Sequence, residues 1–132
     1  MTSNKLNFVN KSGLTLTGIL DTPELGQVKA YAIFAHCFTC TKNFKAAHNI
    51  CQALTAAGIA VLRFDFTGLG ESEGDFEHIN FSSNVDDLIT VSDYLIKNYQ
   101  PFKLLLGHSS GGTAVLQAVR HIESVIAVAI IA

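Results

Sequence analysis

Nine residues, Leu104–Gly112, constrain the fold of this 132-residue chain more than any other stretch. Three leucines predict a buried strand, the string GHSSG follows at once, and a helical pattern begins at Ser110 and runs to His121. A serine on so tight a strand-to-helix turn adopts a strained backbone conformation, which only small neighbours permit. The spacing G-x-S-x-G in this setting therefore predicts a nucleophile elbow with Ser109 at its tip.

The turn supplies three candidate site residues. Ser109 is the candidate nucleophile, and Gly107 and Gly111 are the glycines that leave space for it. The helix that follows has free N–H groups in its first turn, and its positive end points to the place where an oxyanion would form. The alternative is a glycine-rich turn without chemistry, since G-x-S-x-G by itself is a common string.

Composition narrows the class of protein. The chain is 48% hydrophobic and 15% charged with two prolines, which favours one domain over residues 1–132 with a sheet buried on both faces. Its net charge of −2 and the absence of a Lys/Arg cluster argue against nucleic acid as a partner. The N-terminal ten residues hold no apolar signal core, and the longest apolar run, Val125–Ala132, is too short for a membrane span. We expect a cytoplasmic protein.

Periodicity gives the order of the elements. Two alternating segments, Lys5–Asn10 and Leu14–Asp21, predict an antiparallel hairpin with its turn at Gly13. Predicted strands and helices then alternate, with Ser82 or Ser83 expected to cap the second helix. The predicted strands are 31–36, 59–66, 104–107 and 125–132, and the predicted helices are 43–57, 83–99 and 110–121. This order indicates an α/β fold with right-handed crossovers.

Four segments resemble the α/β-hydrolase fold from its first strand to its sixth: HCF at 36–38, DFTGLGES at 65–72, FSSN at 81–84 and GHSSGG at 107–112. The sequence is especially similar to the hydrolase half of certain bacterial fusion proteins. In these a serine aminopeptidase/monoglyceride-lipase-like domain is fused to an OsmC-type peroxide-reducing domain. The resemblance implies the N-terminal portion of an α/β-hydrolase fold, with a hairpin followed by parallel strands and crossover helices.

The resemblance also implies roles for three residues. Ser109 would attack an ester, thioester or amide carbonyl of a small-molecule substrate, and the backbone N–H groups of Phe38 and Ser110 would form the oxyanion hole. It implies no cofactor and no metal ion. Cys37 departs from the pattern, because it stands where many members have glycine beside the oxyanion loop.

In such hydrolases the acid and the base of the triad follow the serine in the chain, and this sequence ends before either. We therefore expect an incomplete domain, and the sequence leaves open whether the chain alone is an active enzyme. The alternative is a non-catalytic truncated or split fragment that needs a partner segment. Among the five histidines, His78 lies in an acidic loop and is the candidate internal base, whereas His36 is expected to brace the oxyanion loop.

Three cysteines, Cys37, Cys40 and Cys51, are an odd number, which predicts reduced thiols in a chain without a secretion signal. Cys37 and Cys40 form a C-x-x-C after a buried strand, so a thiol-redox protein is a further alternative function. A zinc site made of these two cysteines and His36 lacks a fourth ligand at suitable spacing and is set aside.

The last apolar run has a consequence for assembly. Val125–Ala132 is uncharged and rich in β-branched residues, and as the outer strand of a sheet it would be a template for further pairing. We expect a homo-oligomer, or a partner segment, to cover this edge.

Overall fold

The computed structural model describes residues 1–37 and 40–132, and for His78 the backbone alone. In this part the strands are β1 (Thr2–Val9), β2 (Thr15–Thr22), β3 (Ala30–Ala35), β4 (Ile59–Phe64), β5 (Leu104–His108) and β6 (Ala127–Ile131). The α-helices are α1 (Lys45–Ala56), α2 (Phe81–Asn98) and α3 (Ser110–Ala118). Single 3-10 turns cover Phe76–His78 and Val119–His121.

All six strands form one sheet in the order β1-β2-β4-β3-β5-β6. β1 pairs antiparallel with β2, and β2 antiparallel with β4, whereas β4, β3, β5 and β6 run parallel. The predicted hairpin followed by parallel strands is therefore confirmed. Because β3, β4 and β5 are parallel neighbours, the loops that leave them meet at the same edge of the sheet.

The sheet is covered on both faces, by different helices. Alternate residues of β3 and β5 face opposite ways, as the pleat requires, so that Ile33 and Leu105 pack with α2 and α3 while Phe34 and Leu106 pack with α1. The core on the α2/α3 face is the larger of the two. Runs of apolar residues without alternation thus correspond to strands buried on both faces, as composition predicted.

The start of α2 differs from the prediction. The N-cap is Asn80 rather than Ser82 or Ser83, because the Asn80 side chain accepts a hydrogen bond from the Ser83 N–H at 2.9 Å. Ser83 occupies the third helical position instead, where its hydroxyl accepts from the Asn80 N–H at 3.0 Å. The two residues form a reciprocal capping box, in which serine takes the place more often held by Glu or Gln.

The long loop after β4 has no regular structure from residue 67 to 75, yet it is closely tied to the sheet and to α2. The buried carboxylate of Asp87 in α2 accepts hydrogen bonds from the N–H and the hydroxyl of Thr67 at 2.7 and 2.8 Å. On the other side, the Glu73 carboxylate accepts from the Thr15 N–H at 2.6 Å. These bonds fix a loop that its glycines alone would leave free.

β6 is the outer strand at one edge of the sheet. It pairs with β5 on one side, and on its other side it is unpaired within the described residues. Val128 and Ile130 on this strand are 38% and 47% exposed. No helix in the described ranges is both long and apolar enough to cross a membrane. The cytoplasmic location stays a prediction.

Candidate active site

Ser109 sits between the end of β5 and the start of α3 with a backbone φ of +53°. It is the one non-glycine residue of the described chain with a positive φ, a conformation that costs a residue with a Cβ on the order of 1–3 kcal/mol. Two hydrogen bonds hold it there: its N–H donates to the Ile131 carbonyl of β6 at 2.8 Å, and its own carbonyl accepts from the Gly112 N–H at 2.9 Å. The Ser109 side chain is exposed at the carboxyl edge of the sheet.

The two flanking glycines are required by close backbone packing. A Cβ on Gly111 would overlap the carbonyl oxygens of Ala35 and His36 at the end of β3, and a Cβ on Gly107 would overlap the backbone of Gly112. The first turn of α3 therefore lies directly on the ends of β3 and β5. Neither glycine needs a positive φ, so the requirement is space and not backbone freedom.

The first turn of α3 places backbone donors beside the serine. Ser110 is the first helical residue, and the N–H of a first helical residue has no intrahelical acceptor. With the positive end of the helix dipole, this N–H favours negative charge next to Ser109. The second predicted donor, Phe38, lies outside the described residues.

His36 follows β3 and is 1% exposed. Its Nδ1 lies 2.6 Å from the Cys37 carbonyl, which can only accept, so Nδ1 carries the proton. Its Nε2 then accepts from the Phe66 N–H at 3.3 Å. Burial lowers the pKa of His36 despite the nearby Asp65 carboxylate, which acts in the opposite direction, and the ring is neutral at neutral pH. His36 thus links the residue after it, Cys37, to Phe66 after β4, and its predicted role in bracing an oxyanion loop stays a prediction.

A buried ion pair lies beside His36. Asp65 accepts from the Lys42 backbone N–H at 2.7 Å, from the Lys42 ammonium at 2.5 Å and from the Glu71 N–H at 3.0 Å. The Lys42 and Asp65 side chains are both 0% exposed. Asp65 and Glu71 are thus loop-stabilising groups. Sequence reasoning missed Lys42, because a lysine in a polar loop gives no sign that it will be buried.

The charges of this cluster change the acid–base behaviour of its members. Burial alone would lower the pKa of Lys42, but hydrogen bonds to Asp65 and Glu71 raise it above its ordinary value. Glu71 bridges Lys42 and Lys5, and those two hydrogen bonds lower its pKa to about 2. Lys42 and Glu71 are therefore both ionised at neutral pH.

The structure distributes the remaining histidines as follows. His48 and His121 are exposed on helical segments. His108 points to the α1 face of the sheet, where its ring stacks on Phe44 with 5.6 Å between centroids. The side chain of His78 lies outside what the structure describes, so its role as an internal base stays a prediction.

The cysteines differ from the prediction of three reduced thiols, which is wrong for two of them. Cys37 and Cys40 are joined in a disulfide with their Cα atoms 5.1 Å apart, inside the range that a disulfide spans. The physical reason is the close approach of the two residues, since the Cys40 N–H donates to the Cys37 carbonyl at 3.1 Å. Cys51 is a free core residue, and burial raises its pKa to about 12.

A sheet of this strand order with a serine on a strained turn after the fifth strand defines the class of α/β hydrolases. A family model described as serine aminopeptidase, S33, matches residues 26–132. The chain belongs to this family. The fused peroxide-reducing domain stays a prediction.

Solved structures support the fold. The chain is 46% identical to the esterase domain of a Rhodothermus marinus protein, with a TM-score of 0.81, covering 98% of this chain and 50% of that one. It is 26% identical to Est1E from Butyrivibrio proteoclasticus, solved with ferulic acid bound, with a TM-score of 0.85 and coverages of 93% and 50%. A serine hydrolase without lid from Xanthomonas campestris is 26% identical, with a TM-score of 0.82 and coverages of 96% and 61%.

The chain thus spans about half the length of the first two of these proteins. A search of curated protein sequences finds no match.

We predict that Gly111→Ala destabilises the fold by about 3 kcal/mol, because the new methyl group meets rigid backbone carbonyls. Gly112→Ala is the matched control one residue later. Its Cβ would lie 2.7 Å from the Ile130 side chain, which can rotate, so we expect a loss of about 1 kcal/mol or less. Urea unfolding measures both. Equal losses would show that the close approach of α3 to β3 is not the cause.

A second prediction concerns pH. Since the pKa of His36 is lowered from 6.5 in the folded state, the unfolded state binds its proton first, and stability is lost as pH falls below 6.5. The slope is at most about 1.4 kcal/mol per pH unit. Burial raises the pKa of Asp87, so protonation of Asp87 at lower pH favours the folded state and opposes the effect of His36. The informative quantity is therefore the difference in stability between the parent protein and a variant without His36.

His36→Asn supplies that comparison, because an amide can keep the bond to the Cys37 carbonyl and does not titrate. Urea unfolding from pH 8 to pH 5 should show the parent protein losing stability below pH 6.5 relative to the variant. Parallel curves for the two proteins would contradict the assignment of a buried neutral His36.

Proposed function

We propose that this chain carries the nucleophile of a serine hydrolase, with Ser109 attacking an ester, thioester or amide carbonyl. The observation that supports it best is the positive φ of Ser109 on an exposed strand-to-helix turn. A strained non-glycine residue persists only where its surroundings hold it, and such residues cluster at functional sites. Ordinary turns place glycine or asparagine at such a position.

In this proposal the tetrahedral oxyanion is held by two backbone donors. The Ser110 N–H is at the free end of α3, and the Phe38 N–H follows the segment that His36 braces through the Cys37 carbonyl. One such donor contributes roughly 3 kcal/mol to the transition state. The buried Lys42–Asp65 pair supports this role, because it anchors the other end of the same loop.

The acid and the base of the triad are proposed to come from outside these 132 residues. Among the described residues, no histidine is hydrogen-bonded to Ser109. His36 is unsuitable as the base, since both of its ring nitrogens are already engaged in hydrogen bonds. A serine without a base loses several orders of magnitude in rate. A non-catalytic role for the chain alone is therefore the alternative within this proposal.

The similar proteins favour an ester among the three substrate classes. One is named an esterase domain, and another was solved with ferulic acid, an aromatic carboxylic acid and thus the kind of product that ester hydrolysis releases. We propose carboxylic ester hydrolysis of a small molecule as the reaction of the complete site.

A thiol-redox function for Cys37 and Cys40 is the second candidate, and the disulfide between them is the observation that favours it. It does not use Ser109 or the strained turn.

The open edge of the sheet enters the proposal as an assembly surface. We propose that a further strand, from a second copy of the chain or from a partner segment, pairs with β6. This strand is uncharged, and its backbone has no partner on the outer side within the described residues. Such an edge is a template for pairing.

A fluorophosphonate probe tests the role of Ser109. We expect one adduct, mapped to Ser109 by peptide mass spectrometry, that is strong in the complete gene product and weak or missing in the isolated 132-residue chain. Ser109→Ala should abolish it, because the attacking oxygen is gone. Ser110→Ala is the matched control and should retain it, because the proposed contribution of Ser110 is its backbone N–H. Labelling that survives Ser109→Ala would exclude this serine as the nucleophile.

Light scattering with a hydrophobic dye tests the open edge. The isolated 132-residue chain is expected to be dimeric or larger, or to bind the dye. Val128→Lys should reduce association, because a lysine on an edge strand opposes pairing. Leu25→Lys, at a loop residue that is 91% exposed, is the control and should change nothing. A monodisperse monomer without dye binding would contradict the proposal.

A further inference from the structure

We propose that Cys37, Cys40 and His108, in the reduced protein, form a binding site for a thiolate-preferring divalent ion of the Zn²⁺ type, and that the disulfide between the two cysteines closes this site. The proposal is independent of the role of Ser109. It concerns the metal ion, whereas the hydrolase proposal concerns the serine beside it.

Topology brings the three side chains together. The cysteines follow β3 and His108 ends β5, and these strands are parallel neighbours in register from Ala32 with Leu104 to Ala35 with Gly107. The two sulfur atoms and a ring nitrogen of His108 all lie within 4.8 Å of one another. The zinc set considered from sequence used His36 instead. The structure excludes His36, because both of its nitrogens make hydrogen bonds to the backbone.

The His108 ring is held in place and has a free nitrogen. Stacking on Phe44, with 27° between the ring planes, fixes the ring on the α1 face of the sheet. Its Nδ1 is buried without a hydrogen-bond partner among the described residues. Buried polar atoms of native proteins nearly always have a partner, and an exception points to an ion or a water. An uncommitted imidazole beside two sulfurs is the donor set that zinc prefers.

Reduction needs little rearrangement to produce metal ligands. With zinc–sulfur bonds of about 2.3 Å, two sulfurs at the corners of a tetrahedron are roughly 3.7 Å apart. A Cα separation of 5.1 Å allows side-chain rotation to provide this distance. Cys37 is 9% exposed, whereas Cys40 and His108 are half-buried, so an ion can enter from one side. Three protein ligands leave the fourth position for water.

The metal and the disulfide exclude each other, because both use the same sulfur electrons. A peroxide oxidises the two zinc-bound thiolates: each sulfur gives one electron, the S–S bond forms and the peroxide O–O bond breaks. Two protons from solvent complete two molecules of water, or water and an alcohol, and Zn²⁺ is released. Two thiolates, one peroxide and two protons thus become one disulfide and two molecules of water, or one of water and one of alcohol. Reduction by a dithiol reverses the change and restores the ligands.

Cobalt substitution tests the site in the complete gene product, reduced with a phosphine under nitrogen. Titration with Co²⁺ should produce thiolate-to-cobalt charge-transfer absorption and the intense visible bands of tetrahedral coordination, saturating at one ion per chain. Zn²⁺ should displace the cobalt, since it binds N/S sites more tightly. Protein oxidised with peroxide before the titration should show no such bands.

Variants assign the ligands. Cys37→Ser and Cys40→Ser should each remove most of the charge-transfer intensity, and His108→Gln should weaken Co²⁺ binding at least tenfold. Cys51→Ala is the control and should leave the spectrum unchanged, because Cys51 lies in the core away from the cluster. Circular dichroism establishes that each variant is folded.

One measurement needs no variant. Zn²⁺ should protect Cys37 and Cys40 of the reduced parent protein from alkylation, read residue by residue by mass spectrometry. Absence of protection, or cobalt bands that persist in both cysteine variants, would overturn the proposal. Tight binding that is indifferent to His108→Gln would overturn the assignment of the third ligand.

Discussion

The carboxyl edge of the sheet depends on the ion pair and the hydrogen bonds of the buried Asp65 carboxylate. Asp65 is 0% exposed, and a buried charge without partners is strongly unfavourable. Its carboxylate oxygens therefore need hydrogen-bond donors. Lys42 donates hydrogen bonds to it through its ammonium and its backbone N–H, and Glu71 donates one through its backbone N–H. Because Lys42 belongs to the loop after β3 and Glu71 to the loop after β4, one carboxylate fixes both loops. Removing either partner of such a pair typically costs about 3–5 kcal/mol.

The strained turn at Ser109 is sustained by packing around the same edge. Gly111 places the first turn of α3 against the carbonyls of Ala35 and His36, and His36 is itself held between Cys37 and Phe66. The free energy that Ser109 loses to its positive φ is therefore offset by neighbours that are already fixed. A serine placed in this way keeps its hydroxyl exposed without its own side chain forming a helix cap.

Local patterns in the sequence predicted the elements and the serine turn, because periodicity and glycine spacing depend on neighbours in the chain. The relations between distant residues could not be predicted in this way. Lys42 has no local sign of burial, and its partner Asp65 becomes adjacent only when β3 and β4 pair. Asn80 caps α2 in place of the predicted serines, because the helix begins one turn earlier than its apolar face. The cysteine pair depends on a close approach of Cys37 and Cys40 that the spacing permits but does not require.

The position of the cysteines gives sulfur chemistry a direct connection to the serine site. Cys37 and Cys40 lie between two anchors, the His36 bond to the Cys37 carbonyl and the Asp65 bond to the Lys42 N–H. Both anchors are buried, and the segment between them carries the two sulfur atoms. That segment contains the proposed second oxyanion donor. His108, the proposed third metal ligand, directly precedes Ser109 in the chain. A metal ion or a disulfide at this place would therefore lie next to both groups of the proposed serine site, Ser109 and the second oxyanion donor.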